Sequence, residues 1–155
     1  MKFALSLIHP VFMGGFFYLL YLQKQLGDKI AGLKERSPEF DQRGLFLKGH
    51  RNYAYILLGV GFVGLIGGVL ATVYALGAPL PLYHSYGHGF FGLFIMSLLV
   101  SVFGLGLSIK NIMKPKIQQR FMGFHMNMVN LIAVLGILSM ITGLIVLGKG
   151  PSLGG

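Results

Sequence analysis

Residues 53–76 read YAYILLGVGFVGLIGGVLATVYAL, an unbroken apolar run without Lys, Arg, Asp or Glu. As a helix rising about 1.5 Å per residue it spans roughly 36 Å, enough to cross a hydrocarbon core of about 30 Å. Lipid offers backbone groups no hydrogen-bond partner, and the run lacks the alternation of a barrel strand, so a helix is the only form that fits. Three more stretches of this kind lie at 3–22, 89–109 and 121–147, again without a charged residue. With 54% hydrophobic and 11% charged residues and a mean hydropathy of +0.72, the chain has more apolar surface than a water-soluble domain of its size can hide. The predicted fold is all-α and integral to a membrane: one domain over 1–155, built as a four-transmembrane-helix up-down bundle.

Charge predicts the orientation. Of 13 Lys and Arg, all but Lys2 and Lys149 fall in the connectors 23–52 and 110–120, and the four acids Asp28, Glu35, Glu39 and Asp41 lie in the first of these. The positive-inside rule places both basic loops on the cytoplasmic or stromal side of a bacterial inner membrane or thylakoid-type membrane, and both termini opposite. The net charge of +9 then matches anionic headgroups or an acidic redox protein, and no basic-aromatic pattern for nucleic acid is present. Lys2 ahead of an apolar run imitates a secretory leader, but the run continues to Leu22 at spanning length and reads as a retained first helix. The first connector continues helix one until Ser37-Pro38 breaks it. The outer loop, Gly77 to Tyr83, is neutral and proline-stiffened, with Tyr83 and Tyr86 suited to the interface.

Four histidines, His9, His50, His88 and His125, fall one to each apolar stretch at intervals of 41, 38 and 37 residues. An ionisable side chain in a bilayer is costly and needs a ligand, pathway or partner. Because successive helices reverse direction, His9 and His88 lie near the outer face and His50 and His125 near the inner one. His88 is about 33 Å of helix from Lys110, whereas His125 is only about 7 Å beyond Arg120. In an up-down bundle alternate helices are diagonal, which predicts two pairs, His9 with His88 and His50 with His125. Imidazole is the commonest metal ligand, and paired imidazoles at two depths fit two haems. No cysteine is present, so attachment is non-covalent and the haem is of b type. Ala54, Leu57, Gly61, Gly64 and Gly68 share one face, as do Val129, Ile132, Gly136, Ser139 and Gly143. Small residues there either make room for a macrocycle or let helices pack closely.

Each histidine has a plainer reading. His50, between Lys48 and Arg51, fits an interfacial position; His125 fits a bond to a neighbouring helix or a quinone site; His9 before Pro10 fits a helix kink. His84, four residues before His88, is a propionate donor or a substitute ligand. Lys48, Arg51 and Arg120 are placed to pair with inner propionates. No Ser-His-Asp set, carboxylate pair or phosphate loop points to hydrolysis, and no intramembrane carboxylate points to ion-coupled transport.

One histidine near the end of each of four consecutive helices resembles the cytochrome b561 and ferric reductase-like transmembrane group, over about residues 3–147. The resemblance implies two haem b groups, held by His50 with His125 and by His9 with His88, carrying electrons between the membrane faces. As an enzyme such a protein is a transmembrane oxidoreductase. Four helices replace the usual six, so ascorbate as donor is not implied, and the donor and acceptor stay open, a quinone among them. The alternative is a haem-free accessory or assembly subunit of a larger respiratory or photosynthetic membrane complex.

Overall fold

A computed structural model describes residues 2–33, 38–76, 87–109 and 111–149, with side chains described for 7–33, 38–74, 87–109 and 111–148. The described chain is almost wholly helical: α1 (Lys2–Gly32), α2 (Arg43–Leu76), α3 (His88–Ile109) and α4 (Pro115–Lys149), with a 3-10 turn at Phe40–Gln42 leading into α2. Gly87 has φ of +84°, a conformation that side chains rarely adopt, and its carbonyl accepts the Phe91 N–H at 2.9 Å as α3 begins. Between α3 and α4 the Asn111 N–H closes on the Ser108 carbonyl (3.0 Å) and the Ile112 N–H on that of Ile109 (3.2 Å). Pro115 then opens α4, where a missing N–H costs no helical hydrogen bond.

Helix one continues into 23–52 as expected but ends at Gly32, ahead of Ser37-Pro38; α2 already starts at Arg43, and within 110–120 α4 starts at Pro115. Charges do not end a helix, and Lys24 pairs with Asp28 one turn on at 2.6 Å. α1 also runs through Pro10 without interruption.

Three segments are long and apolar enough to cross a membrane: Phe40–Tyr74, His88–Ile109 and Pro115–Gly148. Over its described residues α1 is not among them. Large apolar side chains such as Val11, Phe62, Val63, Ile66, Val134, Ile137 and Leu144 cover the outside. A lipid bilayer is the environment that suits so much exposed hydrocarbon.

Contacts fix the helix directions. Gly68 on α2 meets His9 near the start of α1, while Gly27 near the end of α1 meets His50 near the start of α2. The same crossed pairing joins α3 and α4, with Gly143 against His88 and Gly106 against His125. Between α2 and α3, Gly61 meets Met96 and Gly92 meets Leu65; between α1 and α4, Gly136 meets Phe17. Neighbouring helices are thus antiparallel. The α1/α2 and α3/α4 interfaces are extensive and those of α2 with α3 and α1 with α4 slighter, so α1 faces α3, and α2 faces α4, on the diagonals.

One register describes the interior of all four helices. Counting from the histidine, inward residues recur at steps of four and three. The series is His9, Met13, Phe16, Leu20, Gln23, Gly27 on α1 and His50, Ala54, Leu57, Gly61, Gly64, Gly68 on α2. On α3 it is His88, Gly92, Ile95, Leu99, Val102, Gly106, and on α4 His125, Val129, Ile132, Gly136, Ser139, Gly143. This is the heptad seam of helices packed at small crossing angles. In every helix the third, fourth and fifth of these residues are buried, with Phe16 and Ile132 fully enclosed. Each seam opens on histidine and closes on glycine, 18 residues or five helical turns later.

Candidate functional site

The antiparallel seams bring the histidines together in twos. The rings of His9 and His88 lie 5.9 Å apart between centroids at an interplanar angle of 85°, and those of His50 and His125 lie 6.4 Å apart at 58°. Both pairs join diagonal helices. Since Gly27 stands level with His50, and His9 lies 18 residues earlier on the same helix, the pairs are about 27 Å apart along the bundle. Phe16, Leu57, Ile95 and Ile132, with Leu20 and Leu99, fill the space between them.

A backbone carbonyl of the neighbouring helix lies beside each ring. His88 Nδ1 lies 2.8 Å from the Ser139 carbonyl and 3.3 Å from Ser139 Oγ. A carbonyl only accepts, so Nδ1 donates the proton and Nε2 keeps a free lone pair. The Gly64 backbone lies beside the His9 ring. At the other end the carbonyls of Gln23 and Val102 face the rings of His50 and His125, but no hydrogen bond is closed at either buried Nδ1. All four carbonyls belong to the fifth seam residue, one turn before the closing glycine. An Nδ1–H aimed at a backbone carbonyl is the outer-shell arrangement of a histidine that ligates through Nε2.

The donor set decides what such pairs suit. Among the described residues no three His, Cys, Asp or Glu side chains gather, so a bare ion needing four protein ligands has no site there. Two imidazoles suffice for a metal that brings its own equatorial ligands, which is what haem does. A metal–imidazole bond of about 2.0 Å, with about 1.1 Å from nitrogen to ring centre, puts two rings on one metal about 6.2 Å apart. The observed 5.9 and 6.4 Å bracket that value. In donor type and ring spacing the two pairs suit such a group.

Other predicted site residues stand differently. Lys48, Arg51 and Arg120 are exposed at the end of the bundle that holds His50 and His125. His84 lies outside the described residues. Gln23 was not singled out by its sequence, yet it is buried, and its Nε2 donates to the His50 carbonyl at 2.8 Å while its Oε1 has no partner. Gly27 and Gly106 were also missed; the interval of 18 residues from histidine to glycine, repeated in every helix, was the signal. No family model, curated protein or solved structure matches the chain.

Proposed function

We propose that the protein is a di-haem b-type membrane cytochrome of four spanning helices, carrying electrons between the two faces of its membrane. The observation behind this reading is the ring separation of 5.9 and 6.4 Å in two diagonal histidine pairs, one near each end of the bundle. His9 with His88 would hold one haem and His50 with His125 the other. Bound between these histidines, haem would supply one-electron transfer. The chain's own residues do the rest. The Ser139 carbonyl holds the His88 ring through Nδ1, which leaves Nε2 of His88 free to ligate. The aliphatic and aromatic layers between the pairs keep water out of the bundle centre.

The basic end, with Lys48, Arg51 and Arg120, is cytoplasmic or stromal by the positive-inside rule, and its charge attracts an anionic donor or acceptor. Heterologous expression with a haem supply, purification in mild detergent and a reduced-minus-oxidised spectrum test the reading. It predicts the bands of a low-spin b-type cytochrome. A folded chain without haem absorbance contradicts it and leaves the accessory-subunit reading in place.

A further inference from the structure

We propose that Gly27, Gly68, Gly106 and Gly143 are positioning residues, each setting the orientation of one histidine ring. The inference rests on the haem reading above. An imidazole that gives Nδ1–H to a carbonyl on one side and Nε2 to a metal on the other must turn its Cε1 edge to whatever lies between. At His88, whose Nδ1 bonds the Ser139 carbonyl, and equally at the other three rings, the Cε1 edge meets the closing glycine of the neighbouring helix. A Cβ built on Gly68 would lie 2.8 Å from His9 Cε1, one on Gly143 3.0 Å from His88 Cε1, one on Gly106 3.2 Å from His125 Cε1, and one on Gly27 3.3 Å from His50 Cε1. Carbon atoms settle at about 3.5 Å or more, so alanine must displace the ring by about 0.7 Å at Gly68 and about 0.2 Å at Gly27.

Glycine as such does not mark these positions. Gly59, Gly67, Gly104 and Gly123 are also helical, and a Cβ on any of them meets nothing within 4 Å, while on Gly61, Gly64 and Gly136 it presses on Met96, Met13 and Phe17 rather than on a histidine. What separates the four is that each lies 18 residues after one histidine and against another, with the ring-facing carbonyl one turn before it. The same construction occurs on four helices whose intervening residues differ, which general close packing does not require. Glycine also weakens a helix relative to alanine, so retaining it at these four places calls for a local reason.

Alanine scanning of the glycines tests this, read by ferric low-spin electron paramagnetic resonance, which responds to the angle between axial rings, and by redox titration of each haem. Gly68→Ala and Gly143→Ala should shift the signal and midpoint potential of one haem only, Gly106→Ala and Gly27→Ala those of the other, in falling order from Gly68 to Gly27. Gly67→Ala and Gly104→Ala should change neither. The signal that persists in each variant reports that the bundle has folded. Seat variants that match the controls, or that lose both signals together, overturn the proposal while a two-haem wild type keeps the haem reading intact. A haem-free wild type overturns both.

Discussion

Replacing His125 with alanine removes one of the two rings at the basic end and leaves His50 facing a gap. No other described histidine can substitute, since His9 and His88 lie about 27 Å away along the bundle. Loss of an outer-shell partner alone typically weakens a metal site 10- to 100-fold. Loss of an axial ligand should cost more than that, enough to empty the site during purification. The pair His9 and His88 is joined to it only through packed hydrocarbon and should be untouched. The expected result is half the wild-type haem per chain, with half the difference-spectrum amplitude, in His125→Ala. His88→Ala should give the complementary half and the double variant none. Haem quantification beside the reduced-minus-oxidised spectrum measures all three. A His125→Ala protein with full wild-type haem, or one that has lost both haems, refutes the argument that each pair is a separate site.

Other expectations concern packing and placement. Phe16 is fully enclosed, and Phe16→Ala should lower stability by about 3 kcal/mol, measured by steric trapping in bicelles; a change below about 0.5 kcal/mol contradicts the central layer. Gln23→Leu removes both the bond to the His50 carbonyl and the unpartnered Oε1, so it should be near neutral, whereas Gln23→Glu buries a charge and should destabilise clearly in the same assay. The chain has no cysteine, which makes labelling direct. Met113→Cys and Gly148→Cys should react with an impermeant thiol reagent from opposite sides, Met113→Cys from the cytoplasmic or stromal one, and labelling of both from one side contradicts the orientation.

The histidine pairs were legible because two simple facts combine: one histidine per apolar stretch, and helices that reverse direction. On α2 and α4 the inward face was legible too, since Gly61, Gly64, Gly68, Gly136, Ser139 and Gly143 stand out by size. α1 and α3 were harder to read, because their seams are filled with Met13, Phe16, Leu20, Ile95, Leu99 and Val102, which look like any other apolar residues in a lipid-facing stretch. Gly27 was hidden by its charged neighbours Lys24, Asp28 and Lys29, which read as connector. In the structure they ride on the exposed sides of α1 beyond the apolar run. Hydropathy locates the bilayer-facing length of a helix but not its ends; α3 begins just after Gly87 and α4 at Pro115, where backbone geometry changes. The partner of Gln23 was equally invisible, because a backbone carbonyl on another helix leaves no trace in sequence.

The most direct measurement is the number of haem groups per chain in the purified wild-type protein, by pyridine haemochrome against amino-acid analysis. Two b-type haems per chain are predicted, one for each histidine pair. A folded, haem-supplied chain that carries none contradicts the account at its centre.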